Sequence, residues 1–258
     1  MITKRNIKDY LKHSYLYIIY RIIRSKIEAY SNKQISREKV LDFYSQFLRK
    51  GDLCFDAGAN IGNKTSIFKE LGCKVIAIEP QSYCVKFLKI RFGKGINIVQ
   101  KALSDSVGTA DIMISDANTL STLSDEWIEN VKMKRFMVHT WEKKEVVETT
   151  TLDELIKQFG YPKYCKIDVE GYEDKVIKGL NNKINYISFE FAYPESLKNT
   201  ISCFNHLKKI GDFECNYTEG ESMKFKFEKW VTNNNFMNLL EELTVDSNDW
   251  GDIYIRFL

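Results

Sequence analysis

Residues 52–62 read Asp52-Leu53-Cys54-Phe55-Asp56-Ala57-Gly58-Ala59-Asn60-Ile61-Gly62. A short apolar run ends in an acid and opens a glycine loop, and residues 62–71 then read as a helix that stops at Gly72. Strand, tight turn and helix in that order make the first unit of an open parallel sheet. Glycines in such a loop let the backbone come close to a ligand, and the helix N-terminus beyond attracts negative charge. A dinucleotide fingerprint starting at Gly58 would need glycine at 60 and 63, where Asn60 and Asn63 stand. The observed form is D-x-G-x-N-x-G, and asparagine tolerates a positive φ well enough to replace a middle glycine. The competing reading is a plain βα turn in which Asp56 satisfies backbone amides.

The alternation continues outward from this loop. Lys74–Glu79 is a second buried strand stopped by Pro80, residues 81–91 read as a helix, and Ile96–Gln100 is a third strand. Asp111–Ser115 and Ser121–Ser124 suggest a small hairpin, followed by a charged stretch, 125–144, with no clear period. Val146–Thr151 is a strand, and Thr151 stands where a cap for the helix Leu152–Phe159 is expected. Alternation resumes with Tyr164–Asp168, Glu173–Gly179, Tyr186–Phe191 and a helix over 195–210. Phe213–Tyr217, Lys224–Trp230 and Ile253–Phe257 read as closing antiparallel strands. The expected fold is α/β: one doubly wound, mostly parallel sheet over residues 51–258, with a helical N-terminal extension over 1–50.

Composition sets the outer limits. The chain has 258 residues, 44% hydrophobic and 28% charged, which is ordinary for a globular domain with a full core. Lysine plus arginine count 38 against 35 acids, a net charge of +3 that is too small to argue for nucleic acid. The excess lies in the first 30 residues, where Leu11, Tyr15, Ile18, Ile19 and Ile22 follow helical spacing among basic side chains. Arg21 and Arg24 interrupt that stretch, so it does not read as a spanning helix. A helix packed on the body is preferred to a membrane-surface anchor. Six cysteines without C-x-x-C spacing read as reduced thiols in a cytoplasmic protein, with no zinc site.

Acids at strand ends mark the sites of chemistry. Glu79 ends the second strand, where a carboxylate can accept hydrogen bonds from ribose hydroxyls of a nucleoside bound across the switch point. In Lys166-Ile167-Asp168-Val169-Glu170-Gly171, charges alternate with apolar residues at the end of a central strand, and Glu190 ends the next strand between Phe189 and Phe191. Charge there is costly without a purpose, and ligands of open α/β sheets bind outside those strand ends. The alternative is that Asp168 or Glu170 caps the helix beginning near Tyr172.

D-x-G-A-N-x-G at 56–62, Ile78-Glu79-Pro80, Ala102-Leu103-Ser104-Asp105, Thr150-Thr151-Leu152-Asp153 and Lys166–Gly171 together resemble the FkbM family of S-adenosylmethionine-dependent methyltransferases. The resemblance covers about residues 52–191 and is most specific at 166–171. It implies the class I, Rossmann-like methyltransferase fold and methyl transfer to oxygen, often of a sugar or glycosylated natural product. By the same resemblance Asp56, Gly58, Ala59, Asn60 and Gly62 surround the methionine end of the cofactor. Glu79 binds its ribose, and Ala102, Ser104 and Asp105 pass near its adenine. Asp168, Glu170 and Glu190 are then the catalytic candidates, as a base for the hydroxyl proton or, less favoured, as ligands of a divalent metal. His139 is a weaker base candidate, while His13 and His206 read as structural. The expected partner is a small-molecule or glycan acceptor and not nucleic acid. Enzymes that methylate exocyclic amines typically resemble N-P-P-Y or D-P-P-Y at the edge where this chain has Asp168-Val169-Glu170-Gly171. Trp127, Phe136, Trp141, Tyr193 and Trp230 either stack on a sugar ring or belong to the core.

Overall fold

The computed structural model describes residues 37–132, 137–193, 195–242 and 250–258. Helix α1 (Arg37–Ser45) precedes β1 (Leu53–Ala57), α2 (Asn63–Glu70), β2 (Lys74–Ile78), α3 (Ser82–Phe92) and β3 (Asn97–Val99). Next come β4 (Ala102–Leu103), β5 (Gly108–Ile114), α4 (Asp125–Lys132), β6 (Lys143–Thr150), α5 (Leu152–Phe159) and β7 (Tyr164–Ile167). The chain closes with α6 (Glu173–Lys178), β8 (Tyr186–Ala192), α7 (Leu197–Ile210), β9 (Phe213–Glu219), β10 (Val231–Thr232), α8 (Asn233–Glu242) and β11 (Trp250–Phe257).

Eight strands form the main sheet in the order β10-β9-β11-β8-β7-β1-β2-β3. The run β8-β7-β1-β2-β3 is parallel, and β11, β9 and β10 add to it antiparallel. Parallel strands are joined by crossover helices that cover both faces, which is why β1, β2 and β7 are apolar at nearly every position. The chain leaves β1 toward β2 on one side and returns later to β7 on the other, so the switch point lies between β1 and β7. A small second sheet, β4-β6-β5, stands beside it.

Register decides what each face carries. Phe55, Cys165, Ile187, Ile255 and Cys215 lie in one cross-strand row and belong to the larger apolar core. Their neighbours point to the opposite face, where Cys54, Tyr164 and Tyr186 meet α1 and α2. There Phe47 stacks on Tyr164 and Tyr254 with ring centroids 5.5 and 5.6 Å away. Such ring pairs add about 0.5–1.5 kcal/mol beyond their buried area. The described part of the N-terminal extension is therefore integral to the core, with Phe43, Tyr44, Phe47 and Leu48 buried.

Four expectations need correction. The 111–124 hairpin reduces to one bridge, Met113 with Thr122, because β5 pairs along its length with β6 instead. The charged stretch contains α4, which buries Trp127, Ile128 and Val131 against Trp141. Lys224–Trp230 is not a strand: among the described residues it forms one β-bridge with β9, Thr218 with Phe225, the Asn216 side chain bonds the Phe227 backbone in place of a ladder, and pairing resumes at Val231–Thr232. The last strand begins at Trp250, three residues before the expected start. The helix expected at residues 10–24, with its packing or membrane contact, lies outside the described residues. No helix among the described residues is long and apolar enough to cross a membrane. All six cysteines are buried and none forms a disulfide.

The cap at Thr151 is present: its hydroxyl accepts from the Glu154 amide at 3.1 Å. Thr151→Ala should therefore lower unfolding free energy by about 1 kcal/mol in urea titrations, with Thr151→Ser close to wild type. Equal midpoints for wild type and Thr151→Ala would show that the cap contributes nothing.

Candidate active site

A cavity of about 230 Å³ opens at the carboxyl ends of β1, β2 and β7. Gly58 shows why its floor has the residues it does. Its φ is +76°, and a Cβ there would lie 1.8 Å from the Asp168 carbonyl oxygen, so only glycine allows β1 and β7 to meet so closely. Asn60 takes the left-handed conformation expected of it, with φ 48°. Asp56, Gly58, Ala59 and Asn60 line the cavity, while Gly62 ends the loop as the N-cap of α2.

Glu79 is 2% exposed and lines the same cavity. Its two carboxylate oxygens accept from the amides of Asn60 at 2.9 Å and Gln81 at 2.8 Å, tying the end of β2 to the glycine loop. The Gln81 side chain bonds Glu79 as well, so the carboxylate is held from three donors. Burial raises its carboxyl to about 7 even though those amides favour the charged form. Asp56 does not satisfy loop amides; it accepts from the Thr65 hydroxyl. Burial raises its carboxyl too, against the pull of the nearby Lys166.

Of the residues expected near an adenine, Ala102 and its neighbours Lys101 and Leu103 line the cavity. Ser104 and Asp105 are not among the lining residues. Asp105 turns away to pair with Lys175 at 3.3 Å and borders a separate surface depression. Chain direction explains the difference, since β4 pairs with β6 and carries residues beyond Leu103 away from the main sheet.

The acids after β7 do not cap α6, whose N-cap residue Tyr172 has no side-chain cap. Glu173 does the local work: its Oε1 accepts from the amides of Val169 at 3.2 Å and Gly171 at 3.3 Å. Asp168 is instead held by Lys166, with Nζ 2.6 Å from its Oδ2. Lys166 is 2% exposed. Burial opposes its charge, but Asp168, Asp252 and Asp56 outweigh that and hold its pKa above the ordinary lysine range.

Asp168, Glu170 and Glu190 do come together. One carboxylate oxygen from each lies within 4.8 Å of the others, and all three residues are half-buried. Glu170 has φ 53°, a conformation that costs a residue with a side chain on the order of 1 kcal/mol, and Thr122 Oγ1 holds its carbonyl at 2.6 Å. Burial first, and then the neighbouring carboxylates, push both Glu170 and Glu190 well above the usual glutamate range. His139 pairs with Asp116 at an exposed position, and His206 bonds the Leu180 carbonyl at 2.7 Å; neither lines the cavity. Sequence reasoning missed several lining residues, among them Lys64 in the first turn of α2, Thr119, and Glu221 from the β9–β10 connection. Lys64 was legible as helical but carried no motif, and Glu221 arrives only through long-range pairing.

A doubly wound sheet with a glycine loop and a buried acid after its second strand is a nucleoside-binding α/β architecture. The methyltransferase FkbM domain profile matches residues 56–242. The chain belongs to that family and is an S-adenosylmethionine-dependent methyltransferase. No curated protein matches it. Similar solved structures include a TehB-like SAM-dependent methyltransferase from Corynebacterium glutamicum, at 8% identity and TM-score 0.45, covering 92% of this chain and 96% of that one. The precorrin-6y C5,15-methyltransferase from Geobacter metallireducens shares 11% identity at TM-score 0.43, over 88% and 93% of the two chains. A SAM-dependent O-methyltransferase from Thermotoga maritima shares 11% at TM-score 0.42, over 93% and 71%.

The Glu79 environment predicts a pH signature in the ligand-free protein. Its folded value, about 7, lies above the usual 4.5. Its contribution to stability is therefore complete below about 4.5 and is lost as pH rises through about 7. Glu173, also raised to about 7 by burial, acts in the same window. Between pH 5 and 8 the melting midpoint of Glu79→Gln should fall less steeply than that of wild type. Parallel slopes would mean that Glu79 ionises without cost.

Proposed function

We propose that the chain methylates a hydroxyl oxygen of a saccharide, glycoconjugate or related natural product. The observation that supports this is the cluster of Asp168, Glu170 and Glu190 beside the cofactor cavity, with Asp168 fixed by the buried Lys166. The cavity suits S-adenosylmethionine on three counts. Gly58 leaves the backbone bare, Glu79 presents a buried carboxylate, and the lining holds Asp56, Glu79, Asp168, Glu170 and Glu221 against Lys64, Lys101 and Lys166. That acid excess complements a cationic ligand. Asp56, Gly58, Ala59 and Asn60 would hold its methionine end. Lys64 and the α2 N-terminus would face its carboxylate. Glu79 would bind the ribose, and Ala102 with Leu103 would flank the adenine.

When bound, the cofactor supplies an electrophilic methyl on sulfur. The chain's own task is to place an acceptor oxygen and remove its proton. A neutral hydroxyl is a weak nucleophile. Asp168, held in place by Lys166, would take the hydroxyl proton as the methyl passes from sulfur to the acceptor oxygen, an effect on the order of 10²–10⁴ in rate. Burial first, and then neighbouring carboxylates, raise Glu170 and Glu190, which favours their protonated forms as donors to an acceptor oxygen. An acidic acceptor side also repels a polyanion, which favours a glycan over nucleic acid.

The same three oxygens match the donor type of a hard divalent cation. A chelator separates the two readings: activity restored by magnesium or manganese assigns the cluster to a cation, and indifference assigns the proton to Asp168. In either case Asp168→Asn and Glu170→Gln should each cut turnover by about 10² or more, with little change in cofactor Kd by calorimetry. Full activity in both variants, or efficient methylation of amines or thiols and no hydroxyl, would remove this reading.

A further inference from the structure

The face of the sheet that carries Lys166 changes character in steps toward the cavity. The row Asp56–Lys166–Ser188–Tyr254–Asn216 comes first. One step out, Glu190, Asp252 and Thr218 stand side by side on β8, β11 and β9. One further step out, Trp250 is paired with Ala192 on one side. On its other side Gly220 donates its amide to the Trp250 carbonyl at 2.6 Å. Residues in such a row point the same way.

Trp250 therefore stands between two small neighbours. A Cβ on Gly220 would lie 3.2 Å from the indole, so the ring rests over bare backbone. Trp250 is 43% exposed, whereas Trp127 and Trp141 are 8% and 6% exposed and Trp230 packs on Tyr186, Phe225 and Arg256. The aromatic residues that sequence alone offered as sugar platforms are core residues where they are described. The exposed tryptophan, Trp250, is at the site's edge. Asp252 lies two residues along the strand, about 7 Å, on the same face. The residue after Gly220 is Glu221, which lines the cavity.

We propose that Trp250 is the stacking platform for a saccharide ring of the acceptor, with Glu190, Asp252 and Glu221 accepting from its hydroxyls. Which hydroxyl is methylated rests on the oxygen-methylation reading above; the platform does not. A pyranose has an apolar C–H face and a hydroxyl rim. An exposed indole beside carboxylates matches both parts at once. A flat aromatic acceptor would use the indole and leave the acids unmatched, and a phosphorylated one would be repelled by them.

The test is saturation-transfer NMR on the full chain with two probes, a methyl hexopyranoside and a methyl 6-deoxyhexopyranoside, with and without S-adenosylhomocysteine. Wild type should transfer to the ring C–H protons. Trp250→Ala should weaken apparent affinity about fivefold or more, and Trp250→Phe should retain most of it. Melting midpoint and S-adenosylhomocysteine Kd should be unchanged in both variants. An undiminished signal in Trp250→Ala overturns the proposal. So does absence of signal from both pyranosides, including the case in which a naphthol probe binds in their place. Pyranoside transfer lost in Trp250→Ala while calorimetry detects no S-adenosylhomocysteine would support the platform and remove the cofactor assignment instead.

Discussion

The buried ammonium of Lys166 is the interaction on which the edge of the sheet depends. It sits in the row between Asp56 on β1 and Ser188 on β8, with Asp168 at 2.6 Å and Asp252 near it on the closing strand. Without the lysine, three carboxylates would be left in one low-dielectric region, and without them the lysine would be an isolated buried charge. Removing Lys166 is expected to cost about 3–5 kcal/mol, because the buried Asp56 carboxylate then keeps its desolvation penalty, while Asp168, whose carboxylate reaches the cavity, contributes less to stability. The cluster thus links β1, β7 and β11, strands that enter the sheet at widely separated points in the chain. It also fixes the direction of Asp168. A carboxylate that is to accept a proton from a substrate must already be held in place, and here the holding group belongs to the same strand.

The rest of the site follows from where apolar packing stops. Beside and below Lys166 the face is aromatic, with Tyr254 in its row and Tyr164 one step below, both stacked on Phe47 just after α1. Above it the rows are acidic and then end in Ala192, Trp250 and Gly220. No separate scaffold is needed for the acids, because period-two alternation carries the same strands from core to cavity. The strained Glu170 conformation and the Glu173 contacts to Val169 and Gly171 turn the chain sharply just after β7. That turn sets Glu170 opposite Glu190.

Legibility in the sequence divided along the same line. The βαβ units were readable because central parallel strands are apolar on both faces and their helices obey a different period. Asp56, Glu79 and the Lys166–Gly171 run stood out as charges where strands should be uncharged. The antiparallel half was harder. Lys224–Trp230 has the composition of a strand, yet Trp230 and Phe225 are drawn into the aromatic cluster under α1, and only Val231–Thr232 pairs. Trp250 and Glu221 reach the site through pairing of β9 with β11, a contact whose register no local pattern encodes. Asp105 shows the reverse error: adjacency to Ala102 in sequence said nothing about the direction in which β4 leaves the sheet.

Glu79 bears on how far the cavity is prepared before a ligand arrives. Its oxygens already hold the Asn60 and Gln81 amides, so the loop is fixed by the residue that would also meet the ribose. A side chain that waited for the ligand would have to be ordered on binding, at about 0.5–1.5 kcal/mol for each immobilised rotamer. Here that ordering belongs to folding. The cost appears instead as a carboxyl raised to about 7, which a hydroxylated ligand lowers by donating to the charged form. On the proposed cofactor reading, burial of Glu79 in the free protein and affinity for a ribose would be two sides of one electrostatic arrangement: hydroxyls would satisfy a charge that the fold alone leaves under-solvated.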